Sequence, residues 1–240
     1  MTDFPPQLPH DELTEVFPDV FFVQGQIKVD FGENTVSFSR TMTVIRDGDG
    51  LTLFNTLRLN AAGLEYLESL GKVTNVVRLG AFHGRDDAFY MDRYKADMWA
   101  LEGTDHQRGV TTDKALVAGE NGPCSDGTVF SFETATAPES IYHLARHGGI
   151  VLSCDSFQNM LQPDRFFDAP TIKLMTESGF FNPANIGPGW IKRCAPQHSD
   201  FKRLLEMEFQ HLISAHGAPL KNDAHPAMNR SIERRFKPES

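Results

Sequence analysis

Positive charge is in short supply. Lys plus Arg number 23 against 32 Asp plus Glu, a formal net charge of -9. A protein that grips a phosphate backbone needs a basic footprint, so nucleic acid is not an expected partner. The one basic cluster, residues 232–237 (IERRFK), reads as the solvated end of a C-terminal helix. Cysteine is scarce too. Cys124, Cys154 and Cys194 share no CxxC spacing, and so sparse and odd a set is not a disulfide framework, which points to a reducing cytosol. No apolar run approaches the ~20 residues of a membrane-spanning helix. The start, MTDFPPQLPHDELTEVF, places acids and prolines where a signal peptide has a basic start and an apolar stretch. A cytoplasmic protein with no membrane partner is therefore expected. Also missing are the GxSxG elbow, the HExxH helix, the GxxxxGK[ST] phosphate loop and the GxGxxG fingerprint. A nucleotide-driven enzyme, a zincin protease and a Rossmann dehydrogenase lose their support.

What is present suffices for a core. The chain has 240 residues, 40% of them hydrophobic and 23% charged, ordinary values for a globular protein. Residues 1–17 read as an N-terminal arm because Pro5, Pro6 and Pro9 oppose helix and sheet alike. Residues 18–240 are expected to form a single domain. Val20–Val23 and Gln26–Val29 are rich in β-branched and aromatic residues. The runs Met42–Ile45 and Leu51–Phe54 flank an Asp-Gly-Asp-Gly turn, the mark of a hairpin. Ala61, Leu64, Leu67 and Leu70 then line one face of a helix with Asn60 as N-cap and Gly71 beyond its end. Val73–Leu79 follows as a strand, and Ala88–Tyr94 reads as a helix. Residues 102–127 are polar and weakly patterned. The second half repeats the texture: Thr128–Phe132, then Ile141–Leu144 and Ile150–Ser153 around an Arg-His-Gly-Gly turn. Helices are expected over 171–178, 201–209 and 223–236, a loop over 179–189, and a strand over 211–215.

Three strand ends carry groups that suit a divalent ion: His83 with Asp86 and Asp87, then Asp155, then His216. Side chains just past strand ends gather along one edge of a sheet, where open α/β folds place their sites. Each residue also has a plain structural role open to it: a loop histidine, an N-cap aspartate, an Asx-turn, a strand-ending turn. Cys154, beside Asp155, reads as a small buried core residue rather than a nucleophile. His147, in the second hairpin turn, and Trp190, after a Gly-Pro-rich loop, are candidates for the substrate side of a cleft.

The order of elements resembles the metallo-β-lactamase superfamily over roughly residues 18–235. The hairpin TMTVIRDGDGLTLFNT matches the family's opening, with Asn55 where an aspartate is common. VTNVVRLGAFHGRDD falls at the family's HxHxDH loop, SIYHLARHGGIVLSCD at the hairpin ending in a bridging aspartate (Asp155), and LISAHGAP at the closing strand and histidine (His216). The resemblance implies an α/β (α+β) chain folded as a four-layer αββα sandwich, with its site at the edge between two sheets. The HxHxDH motif is broken. If His83 is its first histidine, Arg85 replaces the second, Asp87 matches the aspartate and Ala88 replaces the third. If His83 is the second, Ala81 replaces the first, Arg85 falls on the aspartate and Asp86 on the last histidine. The first register keeps an aspartate in its own place and is preferred. Near residues 134–140 (TATAPES) the family's middle histidine is missing, with Thr136 in its stead. One Zn²⁺ or Fe²⁺ on Asp87 or Asp86, Asp155 and His216, with His83 as ligand or general base and Asp87 beside it in the catalytic set, would serve a divergent hydrolase of an ester, thioester or lactone. The alternative is a metal-free, non-catalytic member in which Arg85 pairs with an acid at the vacated site and the cleft takes a small anion or a protein partner. The sequence leaves the oligomeric state open, a homodimer included.

Overall fold

The computed structural model describes residues 4–31 and 34–237. Thirteen strands are described: β1 (Thr14–Phe17), β2 (Val20–Phe31), β3 (Asn34–Asp47), β4 (Gly50–Phe54), β5 (Lys72–Arg78), β6 (Asp97–Ala100), β7 (Lys114–Ala115), β8 (Gly127–Ser131), β9 (Ser140–Leu144), β10 (Ile150–Ser153), β11 (Phe157–Met160), β12 (Asn182–Ile186) and β13 (His211–Ser214). Six α-helices accompany them: α1 (Ala61–Leu70), α2 (Asp87–Tyr94), α3 (Ala169–Glu177), α4 (Pro188–Cys194), α5 (His198–Leu205) and α6 (Ala224–Arg235). β1 to β7 form one sheet in sequence order. A second sheet runs β13-β10-β9-β8, and β11 and β12 pair as a two-stranded ribbon.

The period-two pattern of the strands decides the layers. In β3, Met42 and Val44 face α1 and α2, where they meet Leu67, Phe89 and Tyr90. Ile45, the next residue, turns the other way, into the space between the sheets with Phe54, Val77, Tyr142 and Leu152. In β10, Ile150 and Leu152 share that inter-sheet core, while Val151 faces Trp190, Phe201, Leu204 and Met228 from α4, α5 and α6. The four layers are thus helix, sheet, sheet, helix, as the resemblance implies.

Local chemistry fixes the elements. The side chain of Asn60 accepts from Gly63 N at the start of α1, and Gly71, at φ 155°, ends it. The Asp47-Gly48-Asp49-Gly50 turn closes β3 on β4, with Asp47 opposite Gly50.

The structure departs from the expected elements in three places. The proline-rich arm ends in a strand, because Thr14–Phe17 pairs antiparallel with β2; its first three residues lie outside the described residues. The expected loop 179–189 contains β12, which pairs with β11. It also contains the start of α4, where Pro188 takes the first turn that proline tolerates. The helix expected to begin at 201 starts at His198 and stops at Leu205.

Candidate metal centre

The site follows from two parallel strands ending together. β10 and β13 run parallel with Ser153 opposite Ser214, so both chains emerge on the same edge. One continues as Cys154-Asp155 and the other as Ala215-His216. The first sheet is tied to this edge by hydrogen bonds. Asn55 Nδ2 donates to Ser153 O at 3.0 Å, and Thr41 N donates to Ala215 O at 2.8 Å. Asn55 itself has a positive φ of 54°, a conformation that Asn tolerates better than most residues. From the same sheet, β5 runs on through Leu79 into the loop that carries His83.

Three side chains converge there. His83 Nε2 lies 3.4 Å from Asp155 Oδ2. His216 Nε2 lies 3.3 Å from Asp155 Oδ1. The two imidazole Nε2 atoms are 3.2 Å apart. His216 Nδ1 sits 3.0 Å from the carbonyl of Ser39. A carbonyl only accepts, so the Nδ1 proton is fixed on that side and Nε2 is the face turned to the cluster. Burial pushes the Asp155 carboxyl upward, but the charges and hydrogen bonds of His83 and His216 outweigh it and hold the group well below the usual carboxylate range. Asp155 is therefore an anion between two imidazoles. The ring of Phe38 flanks His216 at 5.8 Å between centroids. Phe82, 41% exposed, stands beside His83 in the chain with the Arg193 guanidinium 4.5 Å above its ring.

The other residues singled out in the sequence are placed elsewhere. Asp86 is fully buried in an ion pair with Arg40, and accepts also from Arg85 Nη1 at 2.8 Å and Arg58 N at 3.0 Å. With those partners its carboxylate holds the α2 entrance together rather than a metal. Asp87 accepts from Thr56 Oγ1 at 2.6 Å. Its Oδ2 has no hydrogen-bond partner, and burial raises its pKa. Arg85 pairs with Asp86 and donates to Pro6 O at 2.9 Å, so it neither occupies the cluster nor pairs with Asp155. His147 follows β9 and precedes β10, at the end of that strand opposite Asp155; its Nε2 is 3.0 Å from Pro18 O and its ring stacks on Phe17. Trp190 is buried against Phe132 and Phe201 in the core, which removes it from any entrance. Thr136 is exposed, its hydroxyl on Arg193 O.

Two residues stand closer to the centre than the sequence suggested. Cys154 Sγ is 3.8 Å from Asp155 Oδ2. Burial, then the charges of Asp155 and Glu139, push its thiol well above the ordinary cysteine value, which disfavours a free nucleophile. Glu139 is fully buried, with Oε1 accepting from Ser156 N at 2.7 Å. Burial and the charge of Asp155 raise its pKa well above normal. It lies within residues 134–140, where Thr136 drew attention. The signal was that Glu139 is the sole titratable residue of that stretch.

No protein-family model matches the chain, and no curated protein matches it. Solved structures do. The metallo-β-lactamase FIM-1 from Pseudomonas aeruginosa, in a mono-zinc form, is similar at 13% identity and a TM-score of 0.63, covering 98% of this chain and 99% of that one. A metallo-β-lactamase from Erythrobacter litoralis is similar at 12% identity and a TM-score of 0.61, with 95% and 96% covered. A mutant flavo di-iron protein from Thermotoga maritima gives 14% identity and a TM-score of 0.64, over 96% of this chain and 62% of that one. Together with the four layers and the strand-end cluster, these likenesses show that the chain has the metallo-β-lactamase fold.

Proposed function

We propose that the chain is a metal-dependent hydrolase that holds one divalent ion, Zn²⁺ or Fe²⁺, at His83, Asp155 and His216, and acts on a small ester, thioester or lactone. The observation that carries this reading is the spacing of the three donors. Two nitrogen or oxygen ligands at ~2.0–2.1 Å from a tetrahedral ion stand roughly 3.3 Å apart. The imidazole nitrogens stand 3.2 Å apart, and Asp155 offers Oδ1 to His216 at 3.3 Å and Oδ2 to His83 at 3.4 Å, so each pair of residues stands at a ligand-to-ligand separation. Two imidazoles and a carboxylate are also the chemistry such ions favour.

A bound divalent ion would polarise a substrate carbonyl and make water acidic enough to attack near neutral pH. The protein's own groups do the rest. Asp155, a carboxylate set between the two imidazoles, balances the charge of a cation. The carbonyl of Ser39 holds the His216 ring so that Nε2 faces the centre. Phe38 packs beside that ring at a tilt, 5.8 Å between centroids. Arg85 is committed to Asp86 and Pro6 O and does not pair with Asp155. The mono-zinc form of one structural neighbour and the di-iron name of another lend the same direction of support.

The test is metal analysis by inductively coupled plasma mass spectrometry on protein purified without tag or chelator, followed by assays with an ester, a thioester and a lactone. Near-stoichiometric zinc or iron, with turnover of one class that a chelator removes and the ion restores, is expected. No retained metal after dialysis against zinc or iron would refute the reading. So would metal binding without hydrolysis of any of the three.

A further inference from the structure

We propose that Arg78 is a positioning residue of this centre: its guanidinium is the brace around which the loop carrying His83 is wound. The inference rests on the metal-binding part of the reading above and not on hydrolysis. Arg78 is the last residue of β5 and is 3% exposed. Its side chain turns forward along its own chain. Nε donates to Gly80 O at 3.2 Å and Nη2 to Ala81 O at 2.7 Å. The loop then passes through Phe82 and His83 and returns at Gly84. A Cβ built on Gly84 would lie 2.7 Å from Arg78 Cζ and 2.7 Å from Nη1. The guanidinium thus meets the backbone at residues 80 and 81, before His83, and at residue 84, after it. Gly84 has a φ of 108°, which side chains rarely adopt, so glycine serves both the turn and the close approach.

His83 is the donor that most needs such a brace. Asp155 and His216 follow the strand ends Ser153 and Ser214 by two residues each, whereas His83 follows Arg78 by five. The sheet therefore places the first two, and His216 has the Ser39 carbonyl on Nδ1 besides. Backbone bonds fix only the flanks of the His83 loop: Ala81 N donates to Pro138 O at 3.0 Å, and Asp87 N to Gly84 O at 3.3 Å. Between those flanks the loop is wrapped on the guanidinium. The Asp87 carboxyl accompanies the buried cation, its Oδ2 2.9 Å from the same built Cβ. A planar fork suits this task and an ammonium does not, because Arg holds donors along two edges in a fixed plane while Lys is a single rotatable point charge. With the loop wound beforehand, an ion meets a His83 already in place, and less ordering accompanies its binding.

The probe is Zn²⁺, titrated into the full-length metal-free protein in competition with a chelator. Arg78→Lys keeps the charge and loses the fork. It is expected to bind zinc about 10–100-fold more weakly than the wild type, the range for removing a group that orients a ligand, with its circular dichroism unchanged. In a His83→Ala background the same substitution should weaken zinc binding by less than about twofold, because the ligand it orients is gone. A lowered Tm with wild-type zinc affinity makes Arg78 a residue of the fold alone and overturns the proposal, while the ion of the hydrolase reading stays in place. An equal loss of affinity in both backgrounds overturns it too. Failure of the wild type to bind zinc overturns both readings. Should Arg78→Lys not fold, nitrogen-15 spectra of the arginine side chains in the metal-free wild type decide. Distinct, slowly exchanging Nη protons on Arg78 are expected, and a freely rotating guanidinium overturns the brace.

Discussion

Gly80→Ala isolates the packing of the centre from its chemistry. The added Cβ would meet Glu139 Oε2 at 2.2 Å, Cys154 Sγ at 2.8 Å and Cys154 Cβ at 3.0 Å. The first two are closer than real Cβ contacts, and both neighbours are fully buried, so neither side chain has open space to retreat into. Overpacking of this kind costs about 1–3 kcal/mol. The backbone at Gly80 is not left-handed, so alanine also restricts the unfolded chain, a gain of about 0.4–1 kcal/mol. The net expectation is a loss of about 1–2 kcal/mol. With ~2.1 cal/mol/K of unfolding entropy per residue over this chain, that lowers Tm by roughly 2–4 °C. Differential scanning calorimetry of the metal-free protein reads it directly. Gly189→Ala is the matched control, because the nearest atom to its added Cβ would be Phe180 Cζ at 3.9 Å and the position lies in α4. Its Tm should rise. A Gly80→Ala Tm equal to or above that of the wild type would refute the shared space beside Glu139 and Cys154.

Two further predictions use the buried charges. Arg40→Ala leaves Asp86 buried with only Arg85 and the Arg58 amide, and breaking such a pair costs about 3–5 kcal/mol; urea denaturation should show it. Arg85→Ala removes the more exposed partner and should cost clearly less, so an equal or larger loss would contradict the assignment of Arg40 as the main counter-ion. Glu139 has a raised pKa in the fold. As pH rises above the ordinary glutamate value, the unfolded chain ionises first and the native state loses stability. Metal-free Glu139→Gln should therefore gain on the wild type as pH rises from 4 to 8, measured by denaturant titration, and a gap that narrows would contradict the raised pKa of the buried carboxyl.

The sheets were legible because their signals are local. The apolar run Ile150–Leu152, the Asp-Gly turn before β4 and the Asn60 cap each depend on a few neighbouring residues. The ribbon of β11 and β12 was not. Buried Asn185, with Pro183, lay in the stretch that read as loop, and buried Asn159 carried no strand signal, yet both amides find partners: Asn159 Nδ2 donates to Ala218 O at 2.7 Å and Oδ1 accepts from Ala184 N at 3.1 Å, and Asn185 Nδ2 donates to Gly179 O at 2.9 Å. Such satisfaction is tertiary and leaves no period in the sequence. The site divides the same way. Asp155 and His216 end parallel neighbouring strands, a pairing that the resemblance implied and that the residues alone did not show. Asp86 misled because its counter-ion, Arg40, lies 46 residues upstream, and a carboxylate beside a histidine looks the same whether a metal or a guanidinium holds it. Trp190 misled because glycine and proline around it signalled an open loop, whereas α4 turns the indole into the core.

Metal content of two aspartate variants, measured after loading with zinc and desalting, tests the central claim most directly. Asp155→Ala removes the carboxylate between His83 and His216, whereas Asp87→Asn keeps the size of a residue whose bonded partner is Thr56. The account predicts that Asp155→Ala folds but retains no zinc, while Asp87→Asn retains as much as the wild type. Full zinc in Asp155→Ala, or its loss in a folded Asp87→Asn, would contradict a centre built on His83, Asp155 and His216.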